Sequence, residues 1–138
     1  MTATIDPHRE DIERLKREVP PGVPLVMLNL LRFRAQAQYP PGDPSAACRG
    51  RTAYMRYSAV AIEKVKQVGG EPLWIFDVLS TFIGPTGEKW DEVLIVRYPS
   101  VEAFLGMLAM PDYRAATVHR TAALENSRLV VMRAPPSA

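Results

Sequence analysis

Several polar side chains of this 138-residue chain stand where apolar ones would be expected. Asn29 interrupts the otherwise hydrocarbon segment from Leu25 to Leu31. An amide buried without partners costs roughly 2 kcal/mol or more. Asn29 therefore either bonds a neighbouring strand or loop, or anchors a ligand at a cavity floor. Arg32, on the opposite strand face, suits an ion pair at a subunit rim or an anionic group at a cavity mouth. His119 stands beside Arg120 and is, with His8, one of two histidines. Facing a sheet it would be a general acid or base; facing outward it would be an ordinary helix residue. Tyr54 and Tyr57, three apart, share a helix face, either as core with hydroxyls reaching water or as phenol donors to a carbonyl ligand. Arg97 interrupts an apolar strand and needs a carboxylate if buried, for which Asp77 on the paired strand is the candidate. Trp90 is a core or interface anchor, or a wall on which a planar ligand stacks.

Other chemistries find little support. The chain has no Gly-x-Gly-x-x-Gly, no phosphate-binding loop, no Gly-x-Ser-x-Gly and no His-Glu-x-x-His, which argues against nucleotide cofactors, phosphoryl transfer and serine hydrolysis. Cys48 is the only cysteine, so an internal disulfide is excluded, and one histidine without a cysteine pair is too little for a protein metal site. An axial haem role for His119 has nothing else behind it. No metal or other cofactor is expected. A net charge of +2 from 17 basic and 15 acidic residues, scattered along the chain, argues against nucleic acid as a partner. The longest apolar run, Val23 to Leu31, is too short for a bilayer span, and no secretion signal is visible. A reducing cytoplasm is the expected location.

The elements that must position these residues follow from periodicity and punctuation. Asp6 to Glu18 reads as a short surface helix started by Asp6-Pro7, with Pro7 at the first helical position, and carrying a thin stripe of Ile12, Leu15 and Val19. Val23 to Phe33 is a strand, apolar at both parities. Arg34 to Arg51 is a long loop rich in proline and glycine, the type that is disordered or forms a lid. Thr52 to Val68 is a helix capped by Thr52 and stopped by Gly69-Gly70. Glu71 to Gly84 and Trp90 to Pro99 are strands joined by a turn at Gly84-Pro85-Thr86-Gly87-Glu88. A second helix starts at Ser100, is interrupted at Pro111 and ends at Asn126 in a left-handed conformation. Arg128 to Arg133 is the last strand.

Residues 1–22 form a helical extension and 23–134 one domain whose order is strand, helix, strand, strand, helix, strand. That is the α+β, ferredoxin-like split β-α-β-β-α-β unit, with both helices on one face of an antiparallel sheet. Its other face also carries Val, Leu, Ile and aromatic residues. Left wet, it would exceed the roughly 300–600 Å² apolar patch that soluble monomers carry. A second copy, face to face, is the symmetric cover, so a homodimer is expected.

With the elements in place, Met27-Leu28-Asn29-Leu30-Leu31-Arg32-Phe33, Tyr54-Met55-Arg56-Tyr57, Trp90-Asp91-Glu92-Val93, Val96-Arg97-Tyr98-Pro99-Ser100, Pro111-Asp112-Tyr113 and His119-Arg120 together resemble the DUF1330 family. The resemblance covers residues 23 to 133 and implies the dimeric α+β barrel fold and the dimer. It selects no activity: relatives in that superfamily include cofactor-free monooxygenases, lactone isomerases, polyketide cyclases, haem-dependent peroxidases and regulatory domains. The expected site is a cavity between helices and sheet, roofed by the 34–51 loop. Asn29, Tyr54, Arg97 and His119 would be its polar groups, and Trp90 its apolar wall. It would serve a cofactor-independent enzyme acting on a hydrophobic carbonyl metabolite, with His119 and Asn29 catalytic. Alternatively the chain is a non-catalytic ligand-binding or interaction domain.

Overall fold

The computed structural model describes residues 2–136. Its elements are α1 (Arg9–Glu18), β1 (Leu25–Phe33), α2 (Gly50–Gln67), β2 (Glu71–Asp77), β3 (Glu92–Tyr98), α3 (Val101–Leu108), α4 (Pro111–Ala123) and β4 (Leu124–Met132). The four strands form one antiparallel sheet in the order β2-β3-β1-β4. This is the ferredoxin-like α+β architecture.

Alternation in β1 decides which face the helices cover. Leu25, Met27 and Leu31 are buried, as are Val96 and Tyr98 of β3, and these pack with Ala53, Tyr54, Tyr57, Val65, Phe104 and Tyr113 of the helices. The other parity of the same strands, Val26, Leu28, Leu30, Val93 and Ile95, faces away and is only partly buried by its strand neighbours. Both faces are apolar, as the composition requires.

Local chemistry moves several boundaries. α1 starts at Arg9 because Asp11 Oδ2 accepts the His8 N–H at 2.7 Å, which makes His8 the cap and leaves Pro7 outside. Leu15 and Val19 of its stripe pack on the core. α2 begins at Gly50, two residues before Thr52, with Gly50 N–H bonded to Arg34 O at 3.1 Å. A Cβ at Gly50 would run into Arg34 O and meet Ala123 O at 2.7 Å, so only glycine fits there. α2 ends into Gly69 at φ 85°, a conformation that suits glycine. α3 is capped by Ser100, whose Oγ accepts the Ala103 N–H at 3.0 Å. Asn126 does not end α4. The helix passes directly into β4 at Leu124, and the Asn126 side-chain Oδ1 accepts the Thr4 N–H at 3.0 Å instead. β2 stops at Asp77, so 78–91 is a long loop rather than a tight hairpin turn. No described helix is long and apolar enough to cross a membrane.

Candidate functional site

At mid-height the sheet carries one row of register partners, Ile75, Leu94, Asn29 and Leu129. Strand parity places the row on the helix side, with Met27, Leu31 and Val96. Those three are at most 6% exposed, yet Ile75 is 58% and Leu129 44% exposed, and Asn29 and Leu94 are half-buried. The row is thus less covered than the buried residues on either side of it along β1 and β3. Asn29 Nδ2 donates to Leu94 O across the strand pair at 3.2 Å. That bond fixes the amide, and among the described residues its carbonyl oxygen has no partner. An oriented amide acceptor among apolar neighbours suits a ligand that brings one donor and a hydrocarbon body.

Tyrosines stand over the helix side of the sheet. Tyr54 packs edge-on to Phe33 at 5.4 Å and against Tyr57 at 5.3 Å; Tyr57 Oη lies 2.7 Å from Tyr113 Oη across α2 and α4. Burial pushes the Tyr54 phenol up to about 12, the nearby Arg120 guanidinium opposing the shift. Burial likewise raises Tyr57 and Tyr113, and Tyr98, whose hydroxyl meets Met107 Sδ at 3.8 Å. Phenols raised this way stay protonated at neutral pH. They serve as hydrogen-bond donors, not bases. Arg120 donates to Ile5 O and lies 3.8 Å from Asp6, so the N-terminal segment holds a guanidinium beside these rings. Glu92, at the Leu31 end of the same side, is held above its usual range by burial, against the pull of Arg51.

His119 does not face the sheet. Its Nδ1 lies 2.7 Å from Tyr39 Oη, and the Arg56 guanidinium donates to that same oxygen at 3.1 Å and to Ala46 O at 3.1 Å. The loop bearing Tyr39 is strapped down by Arg34 and Gln38 N–H bonds to the carbonyls of Ala123 and Ala122. It seals the seam between α2 and α4 from outside and is an ordered strap. Asn29 and His119 therefore sit in different layers, one on the sheet and one under the strap. No hydrogen bond joins them among the described residues.

The remaining expected residues lie elsewhere. Arg97 shares its parity with Val93 and Ile95, on the sheet face opposite Tyr54, so it cannot line a helix–sheet cavity. Its partner is Glu71, not Asp77: Nη2 and Nε reach Glu71 Oε1 at 2.7 and 3.1 Å in an exposed pair. A bulge between Pro72 and Trp74 sets the register that brings Glu71, the first residue of β2, opposite Arg97. Arg32 pairs with Glu125 at 2.9 Å at the sheet rim. Trp90 lies under the Arg128 guanidinium at 5.3 Å, a cation–π contact, and forms no wall of the tyrosine cluster. Tyr39, Arg56 and Arg120 escaped the sequence reading. Only the helical spacing of Arg120 from Tyr113, seven residues, could have flagged one of them. Among the described residues, no three His, Cys, Asp or Glu side chains gather as a metal ligand set.

This architecture recurs in solved structures. The RPA0582 protein of unknown function from Rhodopseudomonas palustris is 36% identical over 99% of this chain and 100% of its own, with a TM-score of 0.88. Its methylated form matches at 38% identity over both full lengths, also at 0.88. The chain belongs to the same family as that protein. Family membership brings no activity with it, since the Rhodopseudomonas protein is itself of unknown function. Two distant structures share the fold alone. One is a dimeric ferredoxin-like protein of unknown function from Bacteroides fragilis, 13% identical over 80% of this chain and 95% of its own, TM-score 0.50. The other is a hydroxynitrile lyase from Passiflora edulis, 10% identical over 86% and 99%, TM-score 0.53. No family model matches the chain, and none of the curated proteins does.

Proposed function

We propose that this protein is a self-associating binder of a small hydrophobic molecule, taken up in the slot between helices and sheet, and that its family is the DUF1330 family its sequence resembles. The observation that carries the binding reading is the row around Asn29: an oriented amide with an unshared carbonyl oxygen, flanked by Leu94, Leu129 and Ile75, in a part of the helix side that stays open. The protonated Tyr54 phenol, on the same side of the sheet, and the one hydroxyl proton that the Tyr57–Tyr113 pair leaves unshared favour a ligand with a carbonyl acceptor. Should the protein be an enzyme, those donors would steady a developing enolate without a cofactor. His119 would take no direct part, being engaged by Tyr39. Self-association rests on the outer sheet face, where Trp74 and Phe76 are 56% and 52% exposed beside Ile95, Leu28 and Val130. The Bacteroides protein of the same fold is dimeric.

Native mass spectrometry of freshly purified protein tests the binding reading. We expect either a copurifying organic adduct or uptake of a hydroxylated aromatic ketone such as 4-hydroxyacetophenone, whose hydroxyl can donate to the Asn29 carbonyl oxygen, and Asn29→Leu, which fills the same volume without the amide, should lose it. Equal uptake by wild type and Asn29→Leu, or none by either, would overturn the reading. One observation favours a second reading, a structural dimer without ligand: the Tyr57 and Tyr113 hydroxyls satisfy each other inside the protein. The same spectra decide, since that reading predicts bare protein throughout.

A further inference from the structure

We propose that the loop 78–89 is an arm by which each subunit grips a second copy of this chain, beyond the sheet-to-sheet contact itself. Within five residues Leu79, Phe82 and Ile83 are 96%, 97% and 88% exposed. Loops between strands are ordinarily polar, and here three of the largest hydrocarbon side chains stand in water. The arm is not slack. Val78 N–H bonds Asp91 O at 2.9 Å at its root, Glu88 N–H bonds Pro85 O at 3.1 Å at its turn, and Glu88 lies 3.7 Å from Arg128. Arg128 belongs to β4, at the opposite edge of the sheet from β2, and sits across from Leu30 on the outer side. The segment therefore crosses the end of the sheet and is pinned on the face that carries Trp74, Phe76 and Ile95.

Area and charge choose the occupant. Three such side chains present on the order of 400 Å² of apolar surface, as much as a typical monomer's largest patch. Two arms supply on the order of 800 Å², half of a standard interface, and the outer sheet faces with which they are continuous supply the rest. Under a two-fold axis each surface contributes twice. The charges at the two ends of the outer face are already paired within the subunit, Glu71 with Arg97 and Arg32 with Glu125, so superposition of two copies sets no unpaired like charges together. A lipid surface fits less well: the loop's only charged residues are Glu88 and Lys89, with no cationic cluster for anionic headgroups.

The inference rests on the proposed self-association, and its test separates the two. Phe82→Cys is introduced in a Cys48→Ser background, the oligomeric state is followed by sedimentation equilibrium, and the thiol's reaction with a soluble disulfide reagent is timed above and below the dissociation constant. We expect a dimer whose thiol reacts at least tenfold more slowly than in the dilute monomer. The triple variant Leu79→Ser/Phe82→Ser/Ile83→Ser should dimerise at least about thirty-fold more weakly, as the loss of a buried aromatic anchor predicts. A dimer whose thiol reacts equally fast at both concentrations refutes the arm and leaves the sheet-face dimer standing. A monomer at every concentration refutes both, and protection only by phosphatidylcholine vesicles would make a membrane the occupant.

Discussion

The buried hydroxyl pair between α2 and α4 provides a sharp test of the interior. Tyr57 and Tyr113 place their oxygens 2.7 Å apart, with both residues under a tenth exposed. Tyr113→Phe removes one partner and leaves the Tyr57 hydroxyl buried with nothing to bond. Such an orphan costs about 1–3 kcal/mol, and Tyr57→Phe should cost a similar amount. The double variant removes both polar groups at once and should cost under about 1 kcal/mol, so the two changes are strongly non-additive, with a coupling on the order of 2 kcal/mol. Urea unfolding reads this directly. At a slope of about 2 kcal/mol/M each single variant shifts the midpoint down by about 1 M, and the double variant recovers most of the loss. All four proteins must be compared at one protein concentration, because association adds to apparent stability. Additive single effects would show that each hydroxyl finds water or a ligand of its own. The closed tyrosine pair, and the second reading that leans on it, would then fall.

Alkali should unfold the protein through its raised phenols. Their folded-state values lie above the unfolded value near 10, so their contribution is intact below pH 10 and is lost as pH rises toward the folded values; for Tyr54, at about 12, that loss is about 3 kcal/mol. Tyr54→Phe should flatten the decline in stability between pH 10 and 12, and an unchanged slope by circular dichroism would contradict its burial. Gly50→Ala drives a Cβ into the Arg34 carbonyl and should cost about 3 kcal/mol or more, seen as insolubility or a large drop in thermal midpoint. Tyr39→Phe deprives His119 and Arg56 of their shared partner and should speed proteolytic cleavage within residues 40–47 at unchanged global stability. Ile95→Asp, in the centre of the outer face, should yield a folded monomer by sedimentation; a dimer as tight as wild type would show that this face is not the interface.

Much of the fold was readable because hydrophobic alternation reports burial directly. β1 is apolar at both parities, so a sheet wanted on both faces followed without knowing where the helices lie. Boundaries were less readable where a single contact sets them. Nothing local distinguishes Thr52 from Gly50 as the start of α2, since the choice depends on the Arg34 carbonyl, sixteen residues upstream. Asn126 is an ordinary helix terminator until Thr4, from the far end of the chain, takes its side chain.

The site was harder to read for a reason that lies in strand geometry. Parity assigns residues to a shared face with near certainty, and Arg97 was correctly grouped with Val93 and Ile95. Parity does not say which of two apolar faces the helices cover. That is decided by the buried Val96 and by Tyr98, which meets Phe104 and Met107 of α3. With both faces greasy, the two assignments look alike along the sequence, and joining Arg97 to Tyr54 takes the wrong one; Trp90 is lost for another reason, since it precedes β3 and lies under Arg128. Asn29 escapes this ambiguity because it shares parity with Met27 and Leu31, which are as deeply buried as any residue in the protein. An amide kept at that parity, half-open between two sealed rows, has its donor tied to Leu94 and its acceptor still unshared. On the binding proposed above, one oriented carbonyl oxygen among apolar neighbours would hold a neutral, weakly polar donor better than an ion.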